Sequence, residues 1–302
     1  MSFIRSKFLP IRTRLFSRYQ AFWLISPSLF FLICFFVLPT LIFFLYSFLT
    51  SRYYRVQWVV SLENYARAFS TPAYLDAILN SLGIGLTAAV VTVLLGYPFA
   101  YFISFRIKRG RNLVLFLVVA SLLGSYLVRV YAWKTILGRQ GVINSFLLML
   151  GVIEEPLLFL LFSRLAVIIT LVQIFLPFAI LPIMASLQNV PYELIEAARD
   201  LGCKPMQAFR RVTLPMSITG VVLAFGYTFF LASADFITPQ LVGGTRGGMI
   251  GVSITNQFIK VGNLSLGAAL SFELLIFLVA IYIGIQLIVR VFNLVPKEKM
   301  DQ

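Results

Sequence analysis

Three ionisable side chains lie within otherwise apolar stretches: Arg129, Asp235 and Glu273. A charge in hydrocarbon is costly, so one placed there is a functional candidate by default. The two carboxylates can offset the lost hydration of an amine-bearing solute, which makes all three candidates for a solute pathway. The structural alternative is that Arg129 and Asp235, at matched outer depth, neutralise each other while Glu273, near mid-membrane, braces helices. At helical spacing Ser121, Ser125 and Arg129 share a face. So do Ala269, Glu273, Ala280 and Gly284, which aims the carboxylate at protein rather than lipid. Other chemistry is excluded by residue type. The chain has no histidine, which removes His-based metal sites and Ser-His triads. The run Gly243 to Gly248 lacks the GxxxxGK[ST] pattern and reads as a flexible external loop. Without a Walker A motif the chain is not an ATPase, and without a polar catalytic cluster a membrane enzyme is a poor fit.

These residues must be positioned by membrane helices. The 302 residues are 60% hydrophobic, with a mean hydropathy of +0.94; a soluble domain is about 45–50% apolar. Spans need roughly 20 mostly apolar residues, and six segments qualify: 22–48, 78–104, 113–133, 165–185, 216–237 and 266–291. The expected fold is an all-α membrane protein: an N-terminal segment 1–21, a transmembrane domain 22–291 and a tail 292–302. The apolar stretch 142–153 is too short to cross and belongs in an external loop or at the interface. The net charge of +14 marks topology rather than nucleic-acid binding. Arg5, Lys7, Arg12, Arg14 and Arg18 precede the first span, and Arg106, Lys108, Arg109 and Arg111 follow the second. Alternating sides gives about 16 Lys and Arg inside and about 8 outside, so both termini face the cytoplasm. The first apolar run is too long for a cleavable signal and no cleavage site follows it, so it reads as an uncleaved span. Pro27 and Pro39 within it are tolerable in a membrane helix. Tyr54 and Trp58 follow as external interfacial aromatics. Cys34 and Cys203 fall in a span and in a cytoplasmic loop, so no disulfide is implied. In the second span Gly85, Ala89, Thr92, Gly96 and Ala100 form a smooth face that another helix can approach closely.

Between spans four and five lies a polar island, VPYELIEAARDLGCKPMQAFRRVTLP, from Val190 to Pro215. It reads as two short helices. Pro191 suits a first helical position, and Glu193 and Glu196 lie in the early turns, where the helix dipole favours acids. Gly202 can close the helix with a positive φ. Pro205 starts a second helix with Arg210 and Arg211 at its C-terminal end. Lys204 precedes it and cannot cap it through its side chain, which accepts no hydrogen bond. The expected product is a compact knob presenting Ile195, Ala197, Ala198 and Leu201.

The spacing of Glu196, Ala197, Ala198 and Gly202, with Leu214 and Pro215 closing the segment, resembles the EAA loop of type I ABC importer permeases. "GYPFAYFISF" from Gly96, "SYLVRVYAWK" from Ser125, "GVINSFLLMLGVI" from Gly141 and "DFITPQLVGG" from Asp235 resemble the spermidine/putrescine permease group. The resemblance implies a six-helix core that alternates access, and an inner-membrane location. It also implies a second permease subunit, two ATPase subunits carrying ATP and Mg, and an external solute-binding protein. No catalysis is expected in this chain, and membrane lipid surrounds it. A stand-alone secondary transporter is the alternative, though a carrier's threefold P-x-[DE]-x-x-[KR] repeat is absent. The solute stays open among polyamines, thiamine-like cations, opines and phosphonates.

Overall fold

The computed structural model describes residues 23–107 and 109–291. The proposed N-terminal segment and tail, with their basic residues, and Lys108 lie outside the described residues. In hydrocarbon every backbone polar group must be satisfied within the chain, and the apolar runs answer this as helices. In order they are α1 (Trp23–Ser47), α2 (Glu63–Ser70), α3 (Pro72–Phe105), α4 (Arg111–Leu122), α5 (Tyr126–Leu137), α6 (Val142–Met149), α7 (Arg164–Gln188), α8 (Tyr192–Asp200), α9 (Pro205–Ser233), α10 (Ile250–Asn256) and α11 (Leu264–Val291). Among the described residues, five of them (α1, α3, α7, α9 and α11) are long and apolar enough to cross a membrane. Counting α4 with the segment after it as one broken span gives six.

That broken span corrects the expected continuous helix over 113–133. The chain turns by 91° between Arg111–Leu122 and Tyr126–Met149. The pair Gly124-Ser125 sits at the corner, with Ser125 extended at φ −56 and ψ 129, and such pairs are a recognised cause of sharp kinks. Ser121, Ser125 and Arg129 therefore do not share a helix face. The short apolar stretch at 142 forms α6 in the arm beyond the corner.

The core is the mutual packing of α3, α7 and α9. The small-residue face of α3 is buried as expected, from Gly85 through Ala89, Thr92 and Gly96 to Ala100. A Cβ at Gly85 would collide with the Ser233 hydroxyl of α9, and one at Gly96 would touch Ala179 of α7 at 3.6 Å. The last helix, α11, stands beside this core and packs on α1 and α2. Phe44 of α1 meets Phe272 of α11 edge-on at 5.1 Å.

Two π turns interrupt the long helices, and each ends two residues before a proline. In α1 the turn Ile33–Val37 comes before Pro39. In α9 the turn Phe209–Thr213 comes before Pro215, and the Leu214 N–H reaches back to the Phe209 carbonyl. Proline has no N–H and its ring clashes with the carbonyl four residues back. Widening the turn lets the helix absorb the proline without ending. The second helix of the polar island consequently does not stop at Arg211, which corrects the expectation of a separate short helix. It runs on as the fifth span for 29 residues. That span ends at Ser233 rather than 237, leaving Asp235 outside it.

Between α1 and α2 the strands β1 (Leu49–Arg52) and β2 (Arg55–Val60) pair antiparallel. Their two-residue turn places Tyr53 and Tyr54 at φ 47 and 63, a region bulky residues rarely occupy. The turn is tied down from outside: the Tyr54 N–H donates to the Gly262 carbonyl at 2.8 Å, and its hydroxyl donates to the Ile259 carbonyl.

Candidate functional site

The polar island forms two linked helices on the face that the charge pattern assigns to the cytoplasm. Pro191 is the N-cap of α8 with an extended backbone, so the helix starts one residue later than expected. Two apolar stripes run along α8. Ile195 and half-buried Ala198 pack inward with Val190, Ala208, Val212 and Phe105. Leu194, Ala197 and Leu201 point outward with Glu196, and Leu201 is 87% exposed. Ile195 and Ala198 thus fasten the loop to the protein, which corrects their expected place on the exposed knob.

Gly202 closes α8 at φ +86. Its N–H donates to the Arg199 carbonyl at 2.8 Å and the Cys203 N–H donates to the Ala198 carbonyl at 3.0 Å. This is the paired 5→2 and 6→1 bonding of a Schellman motif, for which glycine avoids the left-handed penalty. A Cβ at Gly202 would meet no atom within 4 Å, so backbone conformation rather than space selects the glycine. The second helix begins without a side-chain cap from Lys204. Instead Gln207 Oε1 accepts the Lys204 N–H at 2.9 Å, one half of a capping box. Leu214 and Pro215 are half-buried where α9 leaves its π turn, and Leu214 packs against the inner cluster of α3 and α7.

The three candidate pathway charges are dispersed. Arg129 donates to the Gly124 carbonyl at 3.1 Å and to the Ile174 carbonyl of α7 at 3.4 Å, so it serves backbone groups at the α4–α5 corner. Asp235 accepts the N–H groups of Ile237 at 3.3 Å and Thr238 at 3.0 Å, capping the next helical turn. Thr238 in turn meets the Tyr126 hydroxyl at 2.8 Å. No ion pair joins Arg129 to Asp235 among the described residues, where the sole salt bridge is Arg67 with Glu63. Glu273 is 0% exposed and neither carboxylate oxygen has a hydrogen-bond partner. It lies nine residues into α11, about 14 Å along its axis. On the same helix Leu270 and Leu274 pack against Ile78, Leu82 and Phe229. Ala269 is buried beside it, but Ala280 is exposed and Gly284 half-exposed, so the expected small-residue face covers only the outer half of α11.

Two adjoining clefts, which none of these three residues lines, were not anticipated. They measure about 680 and 650 Å³ and share Asp76, Asn80 and Arg164. The Asn80 amide and Arg164 Nε bond the Arg246 carbonyl at 3.4 and 3.2 Å, fixing the glycine-rich loop as one wall. That loop is therefore anchored rather than loose. The available signal was the 4-3-4 spacing of Asp76, Asn80, Gly83 and Thr87 along one face of α3.

Comparisons with known proteins agree with this architecture. Residues 112–295 match the family model described as binding-protein-dependent transport system inner membrane component. The chain is 37% identical over 273 residues to the spermidine/putrescine transport system permease protein PotB of Salmonella typhimurium, covering 89% of this chain and 93% of that protein. It is 35% identical over 232 residues to the inner membrane ABC transporter permease protein YdcU of Escherichia coli, covering 72% of each. Its fold is similar to a crystal structure of a bacterial ABC transporter that imports the acidic polysaccharide alginate, with TM-score 0.71, 17% identity and coverage of 92% of this chain and 98% of that chain. The stand-alone carrier alternative falls with these matches. The chain belongs to the binding-protein-dependent transport system inner membrane component family, as the non-catalytic, multi-pass inner-membrane permease subunit of an ABC-type importer.

Proposed function

We propose that this permease imports a small organic amine of the polyamine class, and that the α8 knob is where a separate ATPase chain engages it. Residues 22–291 act as the transmembrane domain with both termini cytoplasmic. The working assembly adds a non-identical second permease, two ATPases that bind ATP and Mg, and an external solute-binding protein. The observation that carries the coupling assignment is the outward apolar stripe of Leu194, Ala197 and Leu201. It is flanked by Glu196, closed by the Gly202 turn, and joined through α9 to a span without a break. An exposed apolar stripe on a short loop helix is suited to a partner's cleft. The similarity to PotB supports the solute class. Of the three candidate charges, Arg129 and Asp235 act as scaffold because their hydrogen bonding serves nearby backbone. Glu273 meets the solute during the transport cycle, since no partner in the structure compensates it.

The test pairs Glu196→Lys and Gly202→Asp with labelled spermidine and putrescine uptake and with ATPase co-purification. Both variants are expected to insert in the membrane and to lose uptake and bound ATPase. Normal transport by either would remove the knob from the coupling path. Wild-type protein that imports neither amine while its ATPase remains stimulated would remove the polyamine assignment alone.

A further inference from the structure

The knob touches more than the span it continues into. Phe209, the first residue of the α9 π turn, packs edge-on against Tyr97 at 5.7 Å and Tyr101 at 5.9 Å, both on the inner half of α3. At the far end of the same turn the buried Tyr97 hydroxyl meets Ser217 Oγ at 2.8 Å, and Ser217 donates to the Thr213 carbonyl at 2.8 Å. Tyr101 packs on Phe105 at 5.0 Å, and Phe105 belongs both to the cluster under α8 and to the inner core of α3 and α7. The last turns of α3 are therefore gripped at both ends of the π turn and by the knob itself.

We infer that Tyr97, Tyr101, Phe105 and Phe209 link the coupling knob to α3, and that the π turn is the element whose geometry changes when the knob is displaced. This rests on the knob being the ATPase-coupling element. A π turn holds one residue more per closure than the α register, so it can tighten where a regular helix cannot. Packed interiors do not deform continuously, so a change there must be passed to the rings against it. Through the chain a displaced knob moves α7 and α9, which flank it; through the aromatic link it moves α3 as well.

The experiment reconstitutes the full transporter with its ATPase and binding protein and measures solute moved per ATP hydrolysed. Tyr97→Phe keeps the ring and removes the bond to Ser217; Ser217→Ala removes it from the other side. Tyr227→Phe, at an exposed tyrosine of α9 outside the link, is the control. Tyr97→Phe and Ser217→Ala are expected to keep ATPase binding and hydrolysis while transport per ATP falls at least about fivefold. Their double variant should be no worse than either single one, and Tyr227→Phe should match wild type. An unchanged ratio in Tyr97→Phe and Ser217→Ala, or additive losses in the double variant, would overturn the link. Loss of assembly in Tyr97→Phe would also overturn it, by showing the bond to be structural only. Failure of the knob assignment gives a different result, because then Glu196→Lys retains its ATPase.

Discussion

The contact between α7 and α9 turns on Gly220, and filling it is a quantitative test of the fold. A Cβ there would lie 2.5 Å from the Pro182 carbonyl oxygen, 2.5 Å from Ser186 Cβ and 3.1 Å from Ile183 Cα. Ordinary contact begins near 3.4 Å, so the helices must part by about 1 Å, and Gly220→Val adds two further methyl groups. Overpacking of this sort typically costs about 1–3 kcal/mol. Two of the three obstructing atoms are backbone and cannot rotate away, which places the cost near 3 kcal/mol. For a chain of this size that corresponds to a melting temperature lower by roughly 5–10 °C. Gly83→Ala is the matched control: a Cβ there meets nothing within 4 Å, and alanine favours the helix by up to about 1 kcal/mol. The assay is thermal unfolding of the purified chain in detergent, followed by size-exclusion chromatography. A Gly220→Val midpoint within about 1 °C of wild type, or an equal loss in Gly83→Ala, would refute the close approach. Because α7 and α9 flank α8, Gly220→Val should also weaken ATPase co-purification where Gly83→Ala does not.

Glu273→Gln keeps size and polarity but deletes charge. It should assemble normally and slow uptake of a cationic solute about tenfold, the effect of about 1.4 kcal/mol; wild-type uptake by a well-assembled variant would remove Glu273 from the pathway. Orientation is read with an impermeant thiol reagent on intact cells in a Cys34→Ala background: Cys203 should resist it and Thr245→Cys should react, with the opposite order overturning the topology. Position 245 is preferable to Gly244, whose φ of +59 and closeness to Phe162 disfavour any side chain. Lys204→Ser supplies the missing half of the capping box and should stabilise the second loop helix by about 0.5–1 kcal/mol. Slower amide exchange over 206–208 at unchanged transport measures it.

Long apolar runs, the Gly202 stop and the small-residue face of α3 were legible because each depends on local chemistry. The corner at Gly124-Ser125 was not. Hydropathy continues unbroken across it, and a membrane helix often tolerates such a pair unless a neighbour stabilises the bend, as Arg129 does here by serving the Gly124 carbonyl. Pro215 reads as a helix stop, and only the π register around it, a property of the folded turn, lets α9 continue. The two apolar stripes of α8 are equivalent in sequence; which one faces protein depends on Phe105 and Val190 beneath it. The outer clefts join Asp76 with Arg164 and Arg246, and no spacing rule connects residues so far apart in the chain.

The pairing of α1 with α11 has a consequence for biosynthesis. α1 leaves the ribosome well before the long helix it packs against, with roughly 200 residues between them. At about 5–20 residues per second, α1 waits in the bilayer for on the order of 10–40 s before its partner exists. Until then its C-terminal end is tied to α2 by the Asn64 amide on the Ser47 carbonyl at 3.1 Å, and the described part of α1, with no charged residue and the highest hydropathy of the five long helices, suits lipid along the rest of its length. The Tyr53-Tyr54 turn cannot be tied down until Gly262 has been made. Its two strained tyrosines thus mark the moment at which the connection between α1 and α2 meets the segment that leads into α11.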